Sequence, residues 1–320
     1  MSDIPVSPTL LDAAGLVQVA PDRSSATLGE RNIEADTPRE LRRLLSDALY
    51  NELHAGLSME GKTLPFRLRD AEFEEELAKG VPHRQTTVRG LVREVAEDTH
   101  VVELGGVRVR VPAERIHADD AVSPGSVVSV VNTPLRPGLS PGFFLVEGTR
   151  PHRSVDLLRV YIHITEWTAA RKVWQAALDH LESHKLTYRA KVISSKLLYP
   201  RRDALVVYLD QRDSHAAEGL AEAVGDLPGI GTETSVFTRR LRPGVAVAWE
   251  PRDPAPGMGS LSFGQHRASV LAKALVETAD APGSIAEALH DALVEANVDP
   301  TDPSRNLDSP DTHETDGERS

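Results

Sequence analysis

The rhythm of apolar and polar residues changes along the chain, and each change marks a different kind of element. Residues 1–36 carry weak periodicity and read as a poorly ordered leader with one short helix at most. Thr37-Pro38-Arg39-Glu40 then forms a helix start: a capping Thr, Pro at the first helical position and Glu at the third. Leu41, Leu44, Leu45, Ala48 and Leu53 share one face behind it, predicting an amphipathic helix over about 38–56. A shorter, charged helix is predicted over 70–79, stopped by Gly80 and Pro82. From 84 to 148 the period falls to two, and TTVRGLVREV, THVVELGGVRVRVP and GSVVSVVN read as strands. Asn132 to Pro141, with three prolines, reads as a surface connection leading to Gly142-Phe143-Phe144.

Strands and helices mix in the second half. Strands are predicted at Leu157–Thr165, Leu186–Ser194, Asp203–Asp210, Phe237–Leu241 and Val245–Glu250. Helices are predicted at Ala169–His184, Ala216–Val224, His266–Thr278 and Ser284–Asn297. Without strict strand–helix alternation this is α+β: a mixed or antiparallel sheet with flanking helices, preceded by a smaller helix-plus-β module. The predicted division is 1–36 leader, 37–150 N-terminal module for peptide or partner binding, 151–298 α+β domain, and 299–320 tail. The tail is acidic, contains proline and has almost no large apolar residues, so it reads as disordered.

Composition narrows the function. A net charge of −12 argues against a duplex nucleic-acid binder, since such proteins present a basic face. The absence of cysteine removes disulfides, zinc–thiolate sites and thiol nucleophiles together. There is no basic-then-apolar leader and no apolar run near the ~20 residues of a membrane helix, so a soluble cytoplasmic protein without membrane contact is expected.

The candidate chemistry is cationic. In RVYIHIT, strand alternation puts Arg159, Tyr161 and His163 on one face and Val160, Ile162 and Ile164 on the other. TYRAKVIS pairs Arg189 with Lys191 in the same way. LYPRRDALVVYLD adds Arg201, Arg202 and Tyr208, FTRRLRPG adds Arg239, Arg240 and Arg242, and SFGQHR places His266 and Arg267 at a helix start. Any one cluster alone reads as a solvated face. Together, in a net-acidic chain, they point to an anion site, because arginine forks match phosphate oxygens. A lysine among arginines can serve as a base, an imidazole beside a phosphate ester can protonate the departing oxygen, and arginines can clamp the oxyanion. That combination defines β-elimination from a phosphoamino acid. His180 and His184, at i,i+4 spacing, read as a helix C-terminus rather than a metal pair, and Trp167, Trp174 and Trp249 as core or interface. GIGTETS lacks the lysine of a phosphate-binding loop, so no ATP site is expected.

These segments, with PFRLRDAE, GVRVRVPAERI, LSPGFF and DPSRNL, resemble the plant-pathogen type III effector HopA-like family over about residues 38–305. Its relatives serve as lyase subunits in class V lanthipeptide and thioamitide (RiPP) biosynthesis, and the family is similar in turn to the effector phosphothreonine lyases. The resemblance implies a carbon–oxygen lyase that turns phosphoserine or phosphothreonine into dehydroalanine or dehydrobutyrine. It implies Lys191 as the proton-abstracting base, His163 as the general acid, and Arg201, Arg239 and Arg267 as phosphate ligands, with Tyr208 touching substrate. Tyr161 stands where the effector lyases carry lysine, a departure for which Arg159 or Arg189 would compensate. The partners implied are a phosphorylated precursor peptide, a separate Ser/Thr peptide kinase and a cyclase; neither cofactor nor metal is implied. Two alternatives stay open: a non-catalytic peptide-binding subunit of a kinase or cyclase complex, and a secreted lyase acting on host phosphoproteins.

Overall fold

A computed structural model describes residues 4–57, 69–118, 120–150, 154, 156–279 and 284–310. The chain begins with helix α1 (Pro8–Gly15), strands β1 (Val17–Val19), β2 (Ser25–Leu28) and β3 (Arg31–Glu34), and helix α2 (Pro38–Leu49). A π-helical turn over Tyr50–Ala55 prolongs α2, and helix α3 (Ala71–Ala78) follows. Next come β4 (Thr86–Val95), β5 (Thr99–Leu104), β6 (Val107–Pro112), β7 (Ile116–His117) and β8 (Val127–Asn132). Strands β9 (Leu135–Ser140), β10 (Phe143–Glu147) and β11 (Leu157–Ile164) lead to helix α4 (Trp167–Ser183). Strands β12 (Tyr188–Ile193) and β13 (Arg201–Asp210), helix α5 (Ala216–Gly225), and strands β14 (Arg239–Arg242) and β15 (Val245–Trp249) come next. Helices α6 (Phe263–Glu277) and α7 (Ile285–Glu295) close the described elements.

The fold is α+β with antiparallel sheets. A seven-stranded sheet in the order β14-β15-β11-β13-β12-β10-β9 forms the centre. Strand alternation divides its residues. Leu158, Val160, Ile162, Val207, Ala190 and Val247 turn to one face, where Val173, Trp174, Ala177 and Leu181 of α4 cover them. The opposite face carries Tyr161, Val206 and Ala248, and is covered by Leu41, Leu45 and Leu49 of α2 and by Phe263 and Leu271 of α6. Each of those buried leucines contributes roughly 1.5–3 kcal/mol. Thr37 starts α2 as predicted, its hydroxyl accepting the Glu40 N–H. A separate five-stranded sheet, β6-β5-β4-β8-β7, closes over Val92, Val102, Val111, Val128 and Val130.

Several expectations are corrected. The leader, in its described part 4–36, is ordered: Leu10, Ala13, Ala14, Ala26 and Ile33 are buried in the core that α2, α6 and α7 share, and β1–β3 form a small sheet. The predicted surface connection at 132–141 contains β9, an edge strand whose Arg136 and Pro137 pair with Leu145 and Phe144. Proline is tolerated there because an edge strand needs only one side of its hydrogen bonds. The 37–150 module is therefore not one unit, since α2 and β9–β10 belong to the body around the central sheet. The tail is packed over 299–309: Ser304 and Asn306 are buried, and Trp249 N–H donates to the Ser304 carbonyl. Residues 311–320, and the first half of the PFRLRDAE segment (65–68), lie outside the described residues. No described helix is long and apolar enough to cross a membrane.

Candidate active site

Where the helical cover on the α2/α6 face gives out, the central sheet floors an open pocket of about 520 Å³. Register explains its floor. Tyr161 of β11 lies opposite Val206 of β13, which lies opposite Lys191 of β12, and one step along the same face Arg159, Tyr208 and Arg189 form a second row. Arg159, Tyr161, Val206 and Lys191 line the pocket, joined by Arg201 and Asp203 from the start of β13. The walls are Tyr50 and His54 from the π-helical turn, Phe143 from β10, and Ser262 and Gln265 from the first turn of α6.

Lys191 is half-buried, and its Nζ lies 4.3 Å above the Phe143 ring centroid and 5.7 Å from that of Tyr208. Its amine has no carboxylate partner among the described residues. The arginines do have partners. Arg201 is forked onto Asp203, with Nε to Oδ1 at 2.7 Å and Nη2 to Oδ2 at 2.8 Å, and Nη2 also donates to the Tyr50 hydroxyl at 2.8 Å. Burial would raise the Asp203 carboxyl, but the Arg201 guanidinium prevails and holds it well below the usual carboxylate range. Arg159 turns Nε and Nη2 to Glu250, leaving the adjacent, buried Tyr161 hydroxyl without a hydrogen-bond partner. The pocket thus gathers the Lys191 amine, the Arg201 and Arg159 guanidiniums, whose Nη1 groups have no hydrogen-bond partner among the described residues, the buried Tyr161 hydroxyl, and the N-terminal end of the α6 helix dipole. Such a set is complementary in charge and hydrogen-bond donors to an anion.

The histidine in this pocket is His54, which sequence reasoning missed. It is 3% exposed, stacked in a cage of Tyr50, Tyr161 and Phe263, with Nδ1 2.9 Å from the Ser235 Oγ. Ser235 Oγ already accepts the Phe237 N–H, so its own proton is available to Nδ1. In that tautomer Nε2 carries the ring proton, 3.9 Å from Asp203 Oδ2. Burial pushes the imidazole down to about 4, with Asp203 opposing and Arg201, Arg159 and Lys191 adding to the fall, so His54 is neutral at neutral pH. Gly264 makes room for it: a Cβ there would lie 2.2 Å from the His54 Cδ2. That glycine, inside SFGQHR, was the one sequence signal that something packs closely against the α6 start.

The remaining predicted residues divide. His163 does not line the pocket. The register of β11 with β13 slips between Ile162 and Ile164, and the Gly229–Glu233 loop packs against the ring, Gly231 N–H donating to the His163 carbonyl. A Cβ on Gly231 would come within 2.2 Å of Nδ1. The structure does not bring His163, predicted as the general acid, to the pocket that Lys191 lines. Arg189 stands in the second row with Nε and Nη2 donating to Glu147 Oε1. Tyr208 also lies in that row, its ring facing Lys191 and Arg159. Arg239 is exposed on the edge strand β14, and its pairing with Val247 sets it on the opposite face of the sheet. Arg267 is 1% exposed, and its donors go to the carbonyls of Pro303 and Arg305, to Asn306 Oδ1 and to His266 Nδ1. It pins the C-terminal segment rather than a phosphate. His266 accepts from Arg267 and gives its Nε2 proton to Asp253 at 2.9 Å, a structural role. His180 and His184 stack at 4.3 Å, with His184 Nδ1 at the His180 carbonyl, and no cluster among the described residues has metal-ligand composition.

The sequence profile of the HopA1 effector protein family matches residues 135–305, more than half of the chain. The chain belongs to that family. The HopA1-family span runs from β9 past α7 and so includes Lys191, Arg159, Arg201 and Asp203, but not the π-helical turn that brings Tyr50 and His54. The fold is also similar to the structure of an effector protein from Pseudomonas syringae pv. tomato strain DC3000. The TM-score is 0.50 at 13% identity, over 93% of this chain and 96% of that one. An effector protein structure from Pseudomonas syringae pv. syringae strain 61 aligns at 17% identity over 84% of this chain and 92% of that one, with a TM-score of 0.48. No curated protein matches this HopA1-family sequence.

Proposed function

We propose that this HopA1-family protein is a lyase that eliminates phosphate from phosphoserine or phosphothreonine in a peptide, yielding dehydroalanine or dehydrobutyrine. One observation carries the reading: Lys191, with no carboxylate partner among the described residues, lines one pocket with Arg159, Arg201, Tyr161 and the first turn of α6. Arg201 and Arg159 are pre-oriented by Asp203 and Glu250, so their remaining donors meet a phosphoryl group without reorganisation. Lys191 takes the α-proton, the Cα–Cβ double bond forms, and the Cβ–O bond breaks with its electron pair leaving on phosphate. His54, neutral and held by Ser235, gives a hydrogen bond from Nε2 to the departing oxygen in the role expected of His163. Tyr161 occupies the lysine position of the effector lyases, and there its hydroxyl donates without adding charge.

A phosphorylated peptide implies a separate kinase that supplies it, and a maturation partner such as a cyclase that consumes the dehydroamino acid. The decisive experiment mixes the purified protein with a phosphothreonine peptide and follows loss of phosphoric acid by mass spectrometry. Elimination that disappears in Lys191→Met supports the proposal. Tight phosphopeptide binding with no elimination at any enzyme concentration would instead make the protein a non-catalytic binding subunit.

A further inference from the structure

Beside the pocket, the α2 surface forms a second depression of about 530 Å³, and the two meet at Tyr50 and Gln265. One wall of the second depression is α2, which contributes Arg39, Arg42, Arg43 and Ser46; the other is the start of α6, with Leu261, Gln265 and Ser269. Helical spacing lines up Arg39, Arg43, Asp47, Tyr50 and His54, each three or four residues from the last, so the stripe runs straight into the proposed catalytic pocket. From residue 39 to residue 50 is about 16 Å at 1.5 Å per residue. An extended peptide covers that distance in about five residues.

We infer that this groove holds the substrate chain flanking the phosphorylated residue and selects acidic side chains there. The inference rests on the lyase reading for the identity of the chain and on charge for its composition. Of the two carboxylates in the groove, Asp47 pairs with Arg43 at 3.2 Å and Glu40 turns back to accept the Asp36 N–H, which leaves Arg39 and Arg42 as the cations that face a ligand. Arg39 is exposed and has no ion-pair partner among the described residues. Arg42 reaches Glu277 only at 3.5 Å, with both side chains more than 40% exposed, a pairing that solvent makes weak. The groove lining carries three arginines against two carboxylates, a local excess of positive charge in a protein of net charge −12, with Arg39 and Arg42 positioned to receive Asp, Glu or a second phosphorylated residue.

The test uses phosphothreonine peptides flanked on both sides by Glu, Ala or Lys, scored for turnover and, by fluorescence anisotropy, for binding at two salt concentrations. Glu-flanked peptide is expected to bind about tenfold more tightly than Lys-flanked peptide at low salt, and the ratio to shrink as salt rises. The double variant R39E/R42E, altered at two surface positions, should reverse that preference. Equal binding of Glu- and Lys-flanked peptides overturns the inference, as does a preference that R39E/R42E leaves intact. A Glu preference that the double variant reverses, accompanied by no elimination from any peptide, would overturn the lyase reading and leave the groove standing.

Discussion

Lys191→Met isolates the base from the fold. The substitution keeps an unbranched apolar stem and removes the amine. Contacts of Nζ with the Phe143 and Tyr208 rings, at 4.3 and 5.7 Å, are worth roughly 0.5–1 kcal/mol each at a half-exposed site. A Met sulfur against the same rings recovers about 0.3–1.5 kcal/mol. The net change in stability is therefore within about 1 kcal/mol, and Tm should move by no more than about 4 °C. Catalysis should respond on another scale, since a positioned base contributes about 10²–10⁴-fold. Binding should fall less, because Arg159, Arg201, Tyr161 and the α6 N-terminus remain. Single-turnover mass spectrometry with a phosphothreonine peptide gives the rate, anisotropy gives the affinity, and thermal melting checks the fold. A folded Lys191→Met protein with a rate within threefold of wild type refutes the base assignment.

Two histidine variants separate the sequence reading from the tertiary one: His54→Gln should slow elimination about 10- to 100-fold, while His163→Gln should leave it near wild type, and the opposite order would restore His163 to the chemistry. Asp203→Ala leaves the buried Arg201 guanidinium unpaired and should cost about 3–5 kcal/mol, read from the midpoint of urea unfolding. His54 and His266 are both pushed down to about 4, so the unfolded chain binds more protons than the native one between about pH 6.5 and pH 4. Stability should therefore fall as pH drops through that window, by about 3 kcal/mol per histidine once complete; denaturant midpoints that stay flat from pH 7 to pH 4 would contradict the burial of both rings. Gly264→Ala drives a methyl to 2.2 Å from His54 and should lower both Tm and the elimination rate.

Much of the molecule was legible in its sequence. The α2 cap at Thr37, the apolar face of Val160 and Ile162, and the shared face of Arg159 and Tyr161 follow from local rules, the 3.6- and 2-residue periods that the backbone imposes on its own neighbours. Lys191 fell on the pocket face for the same reason, and the segments around it were enough to point to the family. What the sequence could not decide was long-range. The slip between Ile162 and Ile164 breaks strand alternation at the one residue, His163, on which the acid assignment depended. His54 reaches the site from a helix more than a hundred residues away in sequence from β11, and packing alone brings it there. Which arginines remain available is likewise set by distant carboxylates and carbonyls: Glu147 engages Arg189, and the backbone at Pro303 and Arg305 engages Arg267. The Arg267 contacts, with the Trp249 N–H on the Ser304 carbonyl and the Asn306 amide on the Glu250 carbonyl, order the 299–309 segment, whose composition reads as disordered because polar contacts rather than an apolar face hold it. Periodicity places a side chain on a face of its own element; only the folded chain determines what that face meets.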